Sequence, residues 1–128
     1  QSESPPAPAA HGTAIASILI GGREDAEPAL IATPKLYAAD VFFLDEKGQP
    51  ATDVASIVQG LAWLRAQGVR VVNMSFAGPA DPALSRSLAA ARSRGAVLIA
   101  ASGNFGPKSP PQYPAADPNV IAVTATEG

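Results

Sequence analysis

The sequence has no cysteine, one histidine and one methionine. The missing thiols exclude disulfides and thiolate metal sites. Aromatic residues make up only 5% of the chain and charged residues 16%. A core must therefore be built from Ala, Val, Ile and Leu. The formal net charge is −2 and no basic run occurs, which argues against nucleic acid as the main partner. No apolar run reaches the ~18 residues that a membrane span needs. Proline is plentiful instead, at 13 residues, with 11 glycines. At 47% hydrophobic over 128 residues, the chain has material for one folded domain or part of one.

Proline and glycine punctuate the sequence. Residues 1–10, "QSESPPAPAA", have no periodicity and read as a flexible arm or a cut loop. The remaining residues, 11–128, are taken as one partial domain. In "HGTAIASILIGG", Ile15, Ile18 and Leu19 fall at helical spacing, and Gly21 and Gly22 would stop that helix. "KLYAADVFFL", 35–44, is rich in strand formers and is followed by the polar turn "DEKGQP". Between Thr52 and Gln67, the apolar positions Val54, Ile57, Val58, Leu61 and Leu64 (or Trp63) predict an amphipathic helix closed by Gly68. "VRVVNMS", 69–75, predicts a strand. Asp81-Pro82 predicts the capped start of a helix over 82–94 that ends at Gly95. "AVLIAAS", 96–102, and "VIAVTA", 120–125, predict two further strands, separated by a Pro-rich loop.

Alternating strands and helices imply an α/β fold with three layers, a mostly parallel sheet and helices on both faces. The near-continuous apolar strands suggest burial on both of their faces. In such sheets, ligands bind beyond the carboxyl ends of the strands. Two consecutive strands end in "NMSFAG" and "ASGN". Ser75 to Gly78 and Ser102 to Asn104 should therefore form two walls of one crevice, with Gly78 and Gly103 allowing close backbone approach.

The blocks "HGTAIASILIG", "LYAADVF", "VVNMSFAGP", "AASGNFGP" and "YPAADPNVIAVTA" occur in the order and spacing of subtilisin-like serine proteases, which the chain resembles over residues 11–126. The resemblance implies that His11 is the catalytic base and Asn104 the side-chain donor of an oxyanion hole. It also implies that Ser75, Phe76, Ala77 and Gly78 hold the substrate peptide. Ala101, Ser102 and Gly103 would line the opposite wall, in a segment that begins at Ala100. The expected partner is a peptide or protein substrate.

The departures are as informative. Family triads run Asp, His, Ser. No Asp precedes His11, and no "GTS" nucleophile block follows it. The sequence reads as the middle of a protease domain, inactive alone, whose partner is the rest of that domain or a second copy. The competing reading is a non-catalytic subtilase-like module that binds peptides or a partner chain. Ala10 stands where Gly often precedes the His, and Ser17 where Gly is common. Residues 21–34 do not match the family's calcium loop. No cofactor or metal site is identified, although calcium in the parent protein is compatible with the resemblance. The acids Glu24, Asp25 and Glu27 have poor ligand spacing and read as a solvated loop. Secretion or a periplasmic location is the family expectation. In the family, an Asp-bearing strand lies between those matching 36–43 and 69–75. Without it, 36–43 should pair directly with 69–75, or a partner should fill the gap.

Overall fold

The computed structural model describes residues Gly12, Thr13, Ile15, Ala16 and Leu19, and the segments 35–103 and 106–126. The expected arm over 1–10, His11 and the acids Glu24, Asp25 and Glu27 lie outside the described residues. The chain forms two compact units, Gln1–Asp53 and Val54–Gly128.

In the first unit, Gly12, Thr13, Ile15, Ala16 and Leu19 are helical, as the spacing predicts. The "KLYAADVFFL" segment departs from expectation. Only Phe43–Leu44 (β1) is a strand, and it pairs antiparallel with Pro50–Ala51 (β2). The "DEKGQP" turn is thus the loop of a small hairpin, with Pro50 opening β2. Asp45 builds the loop. Its Oδ1 accepts from the N–H of Lys47 at 2.9 Å and of Gln49 at 2.8 Å. Gly48, at φ 72°, takes the left-handed position that side chains resist. The Thr52 hydroxyl donates to the Val41 carbonyl at 2.6 Å and ties the returning chain to the strand-forming segment.

The second unit begins with α1, Val54–Ala66, and continues through β3 (Val71–Met74), α2 (Pro82–Ser93), β4 (Val97–Ala101) and β5 (Ile121–Val123). Both helices end as their sequence dictates. Gly68 sits at φ 78°; its N–H donates to the Arg65 carbonyl, and that of Val69 to Leu64. Gly95 sits at φ 89°, with the Gly95 and Ala96 N–H groups donating to Arg92 and Ala91. Each is a glycine-centred cap that satisfies carbonyls left over at the last turn. At the start of α2, Asp81 Oδ1 accepts from the N–H of Ala83 at 2.8 Å and of Leu84 at 3.3 Å, with Pro82 in the first turn.

The strands β3, β4 and β5 form a parallel sheet in that order. Register places Val72 beside Leu98, Met74 beside Ala100, and Ala100 in turn beside Ala122. On this face α2 packs against β4, and α1 packs against α2. Ile57, Val72, Met74, Leu84, Leu88, Leu98, Ala100 and Ala115 are buried. This is a parallel α/β arrangement. Two expectations are corrected. β1 and β3 belong to separate sheets, so 36–43 does not pair with 69–75. Nor are β3 and β4 buried on both faces: burial alternates along them. Val71, Val97, Ile121 and Val123 stand 62%, 42%, 52% and 52% exposed on the other face. Trp63, on α1, is 44% exposed.

Candidate functional site at the carboxyl edge of the sheet

Met74 pairs with Ala100 near the ends of two parallel strands. The chain therefore leaves β3 and β4 at one edge, in neighbouring strands about 5 Å apart. Ser75, Phe76, Ala77 and Gly78 follow β3. Ala101 closes β4, and Ser102 and Gly103 follow it. Both sets thus emerge at the same edge of the second unit, as the alternating pattern predicts. All but the exposed Ala101 are half-buried.

Each set is pinned differently. Asn73 Nδ2 donates to Ser75 Oγ at 2.9 Å, which fixes the first residue beyond β3. The Ser102 N–H donates to the Val123 carbonyl at 2.9 Å, which carries the β4–β5 pairing one step past Ala101. Gly103 then turns the chain at φ 88°. A residue with a Cβ is strained in that conformation, so glycine is required where the backbone leaves the strand. Gly78 differs. Its φ is not positive, and a Cβ added there meets nothing within 4 Å. Its N–H and carbonyl are both engaged by Tyr113, each bond 2.8 Å long. Open space beside Gly78 fits close approach of a ligand, but its own polar groups are already paired.

Tyr113 is the residue that sequence reasoning missed. It lies in the loop between β4 and β5, and its bridge to Gly78 is antiparallel. The "YP" pair within a quoted block was the only signal, and nothing in it specifies a distant backbone partner. His11 and Asn104, the expected base and oxyanion donor, lie outside the described residues. A shallow hollow lined by Arg92, Gly95, Ala96, Val97, Leu98 and Ile121 opens at the amino end of β4. That is the opposite end from Ser102, and the hollow belongs to a different surface. Among the described residues, no group of three or more His, Cys, Asp or Glu side chains could hold a metal ion. No described helix is long and apolar enough to cross a membrane.

Comparison with known proteins places this arrangement. The subtilase (peptidase S8) family model matches residues 2–128. Subtilisin BL from Lederbergia lenta is 36% identical over 119 residues, covering 91% of this chain and 42% of the relative. The minor extracellular protease Epr from Bacillus subtilis (strain 168) is 37% identical over 117 residues, covering 91% of this chain and 18% of its own length. Among solved structures, the self-cleaved protease domain of PatA superposes with a TM-score of 0.75 at 27% identity, covering 95% of this chain and 46% of that one. The chain thus spans less than half the length of each of these proteins.

Proposed function

The chain belongs to the subtilase family, and from that premise we propose that it is the central segment of a serine endopeptidase that cleaves peptide bonds through an acyl-enzyme. One observation carries the reading. Residues 75–78 and 101–103, to which the resemblance assigns peptide holding and the opposite wall, leave adjacent parallel strands at one edge, with Met74 paired to Ala100. Ligands of open parallel sheets bind at that edge.

In the proposed mechanism His11 takes the proton of an attacking serine hydroxyl and returns it to the leaving amine. Asn104 donates its side-chain N–H to the oxyanion. A carboxamide suits this task because it donates without titrating and is aimed before charge develops. Ser75, Phe76, Ala77 and Gly78 hold the extended substrate. Ala101, Ser102 and Gly103 wall the pocket for the residue before the scissile bond. The serine and the orienting aspartate belong to blocks that this sequence does not contain. The partner proposed to supply them is the rest of the protease domain. The uncovered apolar face at Val71, Val97, Ile121 and Val123 supports that partner, since parallel sheets are normally covered on both faces. Secretion is part of the proposal, in keeping with the name of the extracellular relative.

Hydrolysis of a peptide ester tests the reading. Residues 1–128 alone should show none. A protein that adds the Asp and Ser blocks should hydrolyse the ester and lose that activity with His11→Ala. Asn104→Ala should lower turnover by ~10²–10³, a figure taken over from the measured loss of this donor in subtilisin itself. Turnover by residues 1–128 alone that His11→Ala abolishes would refute the assignment. The alternative, a non-catalytic peptide-binding module, predicts peptide binding without hydrolysis even when those blocks are present.

A further inference from the structure

We propose that Tyr113 is a positioning residue, whose main chain fixes the path of residues 75–78 from a post built into the β4–β5 loop. The inference rests on the assignment of 75–78 to substrate holding and deepens it. The contact itself is simple. The Gly78 N–H donates to the Tyr113 carbonyl and the Tyr113 N–H donates to the Gly78 carbonyl, both at 2.8 Å. Residues that exchange both bonds form the tight pair of an antiparallel ladder. No other antiparallel bridge among the described residues lies outside the named strands. This isolated pair joins the segment after β3 to the segment after β4.

What makes Tyr113 a post is the stretch that follows it. Pro114, Ala115 and Asp117 are all buried, Asp117 to 4% exposure. The Ala116 N–H donates to the Gln112 carbonyl at 2.8 Å, that of Asp117 to Pro114 at 3.0 Å, and that of Val120 to Asp117 at 3.1 Å. Asp117 Oδ1 accepts from the Asn119 N–H at 2.9 Å and from Asn119 Nδ2 at 3.0 Å. The knot spans Gln112 to Val120 and leads directly into β5. A turn so bonded and buried moves little, and the bridge hands that restraint to Gly78.

A consequence follows for an arriving peptide. Main-chain groups along an extended segment face alternate edges. Gly78 faces Tyr113, so a peptide strand cannot pair there. The bridge closes that edge and, by the same alternation, leaves pairing to the opposite edge, which Ala77 faces. Losing it should weaken the hold on long substrates while leaving the chemical step intact.

The test uses the protease domain that carries residues 1–128 and two p-nitroanilide substrates. One has four residues before the scissile bond and the other has one. Tyr113→Pro removes the N–H that donates to the Gly78 carbonyl. KM for the longer substrate should rise about tenfold, the scale of one lost hydrogen bond, with kcat within about twofold. The shorter substrate should change little. Equal losses for both substrates, or no change for either, would overturn the proposal. Hydrogen exchange shows whether the variant folds, through protection of the Met74 and Ala100 amides. If it does not fold, Asn119→Ala loosens the knot more gently by deleting the Nδ2 bond to Asp117 and keeping the backbone one. It should speed exchange at Gly78 and Tyr113 while sparing Met74, and raise KM for the longer substrate alone. Unchanged exchange there counts against the idea. If the unaltered domain hydrolyses neither substrate, the protease reading fails and the positioning role falls with it. Hydrolysis that the variants leave untouched removes the positioning role alone.

Discussion

Asp81 shows how much one side chain settles. Its carboxylate receives two N–H groups that the first turn of α2 cannot pair internally. Its own backbone is extended, at φ −145° and ψ 129°, the usual conformation of a capping residue. Asp81→Ala keeps the backbone free to adopt that shape but leaves the donors to water. The expected loss is about 1 kcal/mol of folding stability, read as a lower urea midpoint with an unchanged slope. A midpoint equal to that of the parent would mean that the cap contributes nothing. Gly68 and Gly95 act at the other ends of the helices, through conformation rather than a side chain. These three residues bound the helices sharply, and all three were readable in the sequence. Capping is local, so a few adjacent residues carry the whole signal.

At the scale of elements, legibility falls off with distance along the chain. The helices over 54–66 and 82–93 follow from apolar spacing and from the prolines and glycines that bracket them. The three parallel strands were legible as short apolar runs. Which of their faces is buried was not, because "VVNM" and "VLIAA" are apolar throughout or nearly so and carry no period of two. Residues 35–42 are rich in strand formers yet form no strand. Strand propensity expresses fit to neighbouring strands, and among the described residues 35–42 belong to no strand ladder. The Gly78–Tyr113 bridge was invisible for a related reason: a backbone pair between distant loops leaves no side-chain pattern. Of the candidate site, the two segments at the sheet edge were legible, because parallel strands that follow each other share an edge. The one-sided burial makes its own prediction. Leu88, on α2, is 0% exposed, whereas Val71 is 62% exposed. Leu88→Ala should cost about 2–5 kcal/mol, since it deletes contacts and leaves a cavity. Val71→Ala should stay within about 0.5 kcal/mol. Denaturant titration of both variants, at a concentration low enough to keep the chain monomeric, checks the contrast, and similar losses would show that the monomer itself covers the face carrying Val71.

For the molecule as a whole, the uncovered sheet face is the feature with the largest consequence. Val71, Val97, Ile121 and Val123 lie on three adjacent strands and point the same way by register. Soluble monomers seldom leave contiguous apolar patches of this kind open unless something docks on them. Water penalises each exposed side chain roughly in proportion to its apolar area, so residues 1–128 in isolation should cover the face by associating. Light scattering should report a mass that grows with concentration, and a dye that fluoresces on apolar surfaces should bind. The double variant Val71→Glu and Ile121→Glu places two carboxylates on the face, where burying them against another molecule is costly. Both positions are more than half exposed, so the fold itself should tolerate the change. The double variant is expected to remain monomeric and to lose dye binding, with the α2 core intact by hydrogen exchange. Open strand edges are the rival cause of association. They are untouched by the two substitutions, so association that persists in the double variant would assign it to the edges instead. A protein carrying the remaining subtilase blocks should resemble the double variant without any substitution, because its own chain then covers the face. Dye binding that survives in that longer protein would sink the claim that the rest of the domain docks there.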